Sequence, residues 1–234
     1  MVKKELIQRS PIRVFMNSIN GGLGPGEMGV IASPSGIGKT SVLVQIAMDR
    51  LLSDNKVIHI SFTQHTDYIL SWYENIFDEF IKKKNLENEQ DVKDDIVKNR
   101  VLMKFTQGGI SGEQIIKSLR ALIKDGGFGA EYIIVDGYDF SAASESSITA
   151  IKTFAEEIGV SIWFSCNIKD EAPLFDRKNI PLALKKFEGF FAVIVVLNPN
   201  PAHISFTVSK DRDIYNPEHL ALKLDPKTLL IMED

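Results

Sequence analysis

The sequence has a single cysteine, Cys166, in 234 residues. It can form no internal disulfide, which suits a reducing compartment, and its environment reads as that of a buried structural thiol. Histidine is almost as scarce: His59, His65, His203 and His219 show no metal-ligand spacing, so no zinc site is predicted. Long apolar runs are absent too. The longest, residues 190–197, suits a strand and is too short for a bilayer. The first fifteen residues, MVKKELIQRSPIRVF, hold no apolar core of signal-peptide length, so a cytoplasmic location without a membrane partner is expected. Neither sign of charge dominates: 27 Lys+Arg against 31 Asp+Glu leave a net charge of −4. There is accordingly no global attraction to nucleic acid. No internal repeat and no low-complexity linker divide the chain.

What remains is an ordinary globular composition, 44% hydrophobic and 25% charged. The expected organisation is one domain over residues 1–234: a lead-in segment (1–27), an α/β core (28–190) and a β-rich end (191–234). Strands are predicted at 28–32, 56–62, 101–105, 132–136, 161–165, 192–197, 203–209, 221–224 and 228–232. Helices are predicted at 41–48, 68–84 and 112–124. Another is capped by Ser146 or Ser147 and stopped at Gly159. The charged stretch 82–100 reads as a solvated helix and surface loop, and 166–180 as a polar loop.

Residues 28–48, MGVIASPSGIGKTSVLVQIAM, carry the densest signal. An apolar strand leads into a loop of small residues, then Gly38-Lys39-Thr40, then a helix. This is the P-loop arrangement, in which loop amides cradle phosphates, Lys39 reaches the β/γ oxygens and Thr40 can hold Mg²⁺. The helix opening there adds its free N–H groups and positive dipole end. Ser33, Pro34, Ser35, Gly36, Ile37, Gly38, Lys39, Thr40 and Ser41 are the predicted nucleotide contacts. One feature departs from the motif: Ser33 stands where a glycine is usual, and Ser can serve only if its φ stays negative. About a hundred residues on, Tyr132-Ile133-Ile134-Val135-Asp136 is an apolar strand ending in a carboxylate. It puts Asp136 beside Thr40 as the second predicted metal residue.

Gly21-Gly22-Leu23-Gly24-Pro25-Gly26-Glu27, then Val30-Ile31-Ala32 and Gly38-Lys39-Thr40, resembles the entry to the RecA/KaiC/DnaB-type ATPases. The Pro34-Ser35 pair is similar to DnaB-like helicases, while Asp136 and Ile158-Gly159-Val160-Ser161-Ile162 are similar to KaiC-type domains. The resemblance covers about residues 10–232. It implies a RecA-like core: a mostly parallel twisted sheet, helices on both faces, antiparallel strands near the C-terminus, and Mg·ATP at the carboxyl edge. It further implies that Asn167 senses the γ-phosphate. It also implies that Lys210 and Arg212 of Ser209-Lys210-Asp211-Arg212 reach a neighbouring subunit's phosphate in a ring or filament of identical chains. On charge pattern alone that last segment is a charged surface turn, and Asn167 a polar strand cap.

One departure bears on mechanism. In that family the strand after the P-loop helix ends in a Glu that activates water. Here the segment is Ile60-Ser61-Phe62-Thr63-Gln64-His65, so Thr63 or Gln64 takes the place, and a Gln can orient water without accepting its proton. The expectation is a Mg·ATP-binding switch or assembly module with slow hydrolysis. A non-hydrolysing scaffold is the alternative, with an unidentified protein partner in either case. A DNA-acting motor ranks behind, because the segment 139–147 has no Lys or Arg and Lys169, Arg177 and Lys178 are offset by Asp170, Glu171 and Asp176.

Overall fold

A computed structural model describes residues 11–82, 89–106, 112–168, 174–217 and 222–233. The chain is α/β, built on one mixed sheet of ten strands. In chain order the elements are α1 (Pro11–Ser18), β1 (Met28–Ser33), α2 (Lys39–Leu52), β2 (Val57–Ser61), α3 (Thr66–Lys82), α4 (Glu89–Lys98), β3 (Arg100–Lys104) and α5 (Gly112–Arg120). There follow β4 (Tyr132–Asp136), α6 (Glu145–Ile158), β5 (Ser161–Asn167), a 3-10 helix (Leu182–Phe190), β6 (Val193–Pro199), β7 (Ile204–Asp211), β8 (Ile214–Tyr215), β9 (Leu222–Leu224) and β10 (Ile231–Glu233).

The spatial order is β10-β9-β7-β6-β1-β5-β4-β2-β3, with β8 on β7. From β6 to β3 every neighbour is parallel, and from β6 outward through β7, β9 and β10 every neighbour is antiparallel. The central strands β1 and β2 are buried throughout, as strands covered on both faces must be. Alternate residues feed two cores. Ile31, Ile134, Trp163 and Val195 face α1 to α4, while Val30, Ile133, Phe164 and Ile194 face α5, α6 and the 3-10 helix. β1 lies between β5 and β6, strands far later in sequence. Its carboxyl end is therefore a crevice of the kind in which open α/β sheets bind ligands.

Several boundaries differ from the sequence reading for local reasons. The α6 cap is Ser144, whose hydroxyl accepts from Ser147 N–H at 3.1 Å, rather than Ser146 or Ser147. The expected 112–124 helix ends at Arg120 and continues as a π turn, Ala121–Asp125. The expected strand at 228–232 is delayed to Ile231, because the Asp225 carboxylate accepts the N–H groups of Lys227 and Thr228 and forms a turn. The single cysteine is buried, and burial pushes its thiol up to about 12, so it is inert as a nucleophile.

Candidate functional site

The β1–α2 loop turns on two glycines. Gly36 has φ 80° and Gly38 φ 104°, left-handed values that a side chain rarely tolerates. Ser33 is not among the positive-φ residues, so a Cβ is accommodated where the motif usually has glycine. Gly38 also opens α2 without any side-chain cap, and no acidic residue lies in the helix's first turn. The first-turn N–H groups of α2 are thus left free for an external acceptor, reinforced by the helix dipole.

Lys39 folds back over this loop. Its Nζ donates to Ser33 O at 3.0 Å, Ser33 Oγ at 3.1 Å and Pro34 O at 2.7 Å. These acceptors are neutral oxygens. Burial pulls the amine down to about 8, against the opposing pull of the Asp136 carboxylate. A cation so placed, held by neutral groups beside uncapped amides, is suited to receive an anion.

Asp136, at the carboxyl end of β4, is 3% exposed. Thr40 Oγ1 donates to its Oδ2 at 2.8 Å and Ser165 Oγ donates to its Oδ1 at 2.7 Å. Ser165 Oγ in turn accepts Gly137 N–H at 2.7 Å. The strand register explains this meeting: Val135 pairs with Phe164, which brings Asp136 level with Ser165. Among the described residues no three His, Cys, Asp or Glu side chains converge on a metal site. Thr40 and Asp136 supply two hard oxygens, a partial set that suits Mg²⁺ completed by phosphate oxygens and water.

These groups share a cleft of about 440 Å³, within the range of small-ligand sites. Ser35, Gly36, Gly38, Lys39, Thr40 and Ser41 form one side, and Thr63, Gln64, Asp136, Gly137, Ser165 and Asn167 come from the strand ends. Thr63, Gln64 and Asn167 thus all reach the same cleft as Lys39. Thr63 also packs tightly on Gly137, where a Cβ would lie 2.6 Å from Thr63 Cγ2. Ser33 and Pro34 act from behind the loop through Lys39, and Ile37 packs against the hydrophobic core instead of the cleft.

Lys210 and Arg212 lie elsewhere in this chain. Asp211 pairs with Val193, which pairs with Gly29, so both sit by the amino end of β1, at the opposite edge from Lys39. Lys210 Nζ donates to Glu188 O at 2.7 Å and Phe191 O at 2.8 Å. Arg212 bonds Glu27 Oε2 at 2.9 Å, Gly22 O at 3.0 Å and Asp211 Oδ1 at 2.6 Å. Both cations are thereby committed to their own chain, and Arg212 with Glu27 locks the glycine turn that enters β1.

Five residues that line the cleft are not among those expected from the sequence: Tyr68 and Trp72 of α3, Gly137 and Ser165 beside Asp136, and Leu229 near the C-terminus. Tyr68 and Trp72 meet edge to face, with ring centroids 6.3 Å apart. Their i,i+4 spacing is legible in the sequence, but Trp72 also follows the apolar spacing of Ile69 and Tyr73, which are buried in the core. Ser165 was also passed over in favour of Asn167. Its signal is the register with Asp136, which only the assembled sheet provides.

No family model matches this chain. No curated protein matches its sequence either. Among the described residues no helix is long and apolar enough to cross a membrane.

Proposed function

We propose that the chain is a RecA/KaiC-type nucleotide-binding protein that takes Mg·ATP at the carboxyl edge of the sheet and hydrolyses it slowly, as a switch or assembly module. The observation that carries the reading is the Lys39 ammonium, curled over neutral loop oxygens beside an uncapped helix start, with Thr40 bonded to Asp136 in the same cleft. The loop amides and the first turn of α2 bind the phosphates. Lys39 exchanges its bonds to Ser33 and Pro34 for phosphate oxygens. Thr40 and Asp136 would hold Mg²⁺, which would supply neutralising charge beside the phosphates. Gln64 orients a water without taking its proton, and Asn167 meets the terminal phosphate.

Binding is favoured over rapid turnover because the segment from Ser61 to His65 has no carboxylate. Loss of a general base commonly costs about 10²–10⁴ in rate. The resemblance supplies ATP as the nucleotide, and the oxygen-only pair of Thr40 and Asp136 supports Mg²⁺. The test is equilibrium binding of ATP with and without Mg²⁺, in the wild type and in Asp136→Asn. Mg²⁺ should tighten binding to the wild type and do so much less in the variant. An equal Mg²⁺ effect in both proteins would remove Asp136 from the site.

A further inference from the structure

We infer that Gln45 is a positioning residue for the cleft, holding Leu229 as an apolar wall against the non-phosphate part of the nucleotide. This rests on the nucleotide reading above. The starting observation is Leu229 itself, whose φ is 55° although it is a bulky, branched residue. Such a conformation persists only where its surroundings over-determine it.

The determinants come from α2. Leu229 O accepts from Ser41 Oγ at 2.7 Å and from Gln45 Nε2 at 3.0 Å. Gln45 Oε1 accepts Ile231 N–H at 2.9 Å. The Gln45 side chain, 2% exposed, therefore spends its donor on one side of the turn and its acceptor on the other. Leu229 N–H closes the turn onto Asp225 O at 2.7 Å. The result presses the Leu229 side chain against the start of α2: a Cβ on Gly38 would lie 3.5 Å from Leu229 Cδ2.

Ser41 and Gln45 lie on the same helix as Lys39 and Thr40, so one helix both presents the polar groups of the loop and fixes the turn. Leu229 shares the cleft with Tyr68 and Trp72. The Leu229 side chain and the ring faces of Tyr68 and Trp72 are apolar, and they suit a flat heterocycle and its sugar better than a phosphate. A wall of this kind discriminates between ligands that share phosphates and differ in the rest.

The experiment compares ATP with inorganic tripolyphosphate, both with Mg²⁺, by titration calorimetry on the full chain. The proteins are the wild type, Gln45→Leu and Leu229→Gly. The glycine variant removes the wall at a backbone conformation glycine adopts freely, so it decides the matter if Gln45→Leu fails to fold. Removing the contact of one half-buried apolar side chain should weaken ATP binding by about tenfold in both variants and leave tripolyphosphate affinity unchanged. Unchanged ATP affinity in the folded variants would overturn the inference, as would an equal loss for both ligands. A wild type that binds neither ligand refutes the nucleotide reading and removes this inference with it.

Discussion

His59 lies in the middle of β2 at 1% exposure, its Nδ1 3.0 Å from the Tyr73 hydroxyl and its Nε2 buried without a hydrogen bond. Burial pulls the imidazole from 6.5 down to about 4, with Asp136 opposing and Arg100 assisting. Between those values the unfolded chain binds a proton that the folded chain does not. The contribution of this group is therefore fully present above the unfolded value of 6.5 and is lost as the pH drops toward 4. Between pH 7 and pH 5 this one group should remove about 2 kcal/mol. His59→Gln retains a partner for Tyr73 and cannot titrate, so urea midpoints should show a smaller loss over the same interval. Equal losses would show that His59 is not desolvated. Gly29 is a second single-residue test. It pairs with Trp163, and a Cβ there would sit 2.7 Å from the indole Cζ3. Gly29→Ala overpacks the core and should cost about 1–3 kcal/mol. The melting temperature should then fall by roughly 2–12 °C, and an unchanged value would contradict the packing described.

On the proposed reading the end of β2 limits hydrolysis, because Thr63 and Gln64 line the cleft there and neither is a carboxylate. Steady-state ATP turnover should fall well below about 10 per second, and Gln64→Glu should raise it. Wild-type turnover at the ordinary enzyme rate would mean that another group takes the proton. How far these elements were legible in the sequence depends on what forms each one. β1, α2 and β4 were readable with Lys39, Thr40 and Asp136 because apolar strands, small-residue loops and helical spacing are local signals. α1 has that spacing too, in Ile12, Phe15 and Met16, continued by Ile19 just past its end, but the glycine turn that follows makes the segment read as a lead-in. The 3-10 helix Leu182–Phe190 lacks the 3.6-residue period, so its last residue was merged into the apolar run at 190–197. Leu229 was illegible for a different reason. Its place in the cleft depends on Gln45, 184 residues away, and on a turn made by Asp225.

Across the whole molecule the sheet separates two edges. The carboxyl edge carries the cleft, and the opposite edge carries the Arg212 and Glu27 anchor. Arg212→Ala should cost about 1–2 kcal/mol of stability, discounted for partial exposure, and leave ATP affinity unchanged. An action of Lys210 or Arg212 on a neighbouring chain requires their release from Glu188, Phe191 and Glu27. Light scattering with and without ATP tests for it: ATP-dependent association that Arg212→Ala abolishes would assign Arg212 that role. A wild type that stays monomeric leaves both residues as anchors. The central claim, that the cleft binds a nucleoside triphosphate through Lys39, is tested most directly by calorimetric titration of Mg·ATP into the wild type and Lys39→Ala. Measurable binding to the wild type is expected, with a loss of at least about tenfold in the variant and its fold intact. Equal affinity in the two proteins, or no binding to either, would contradict it.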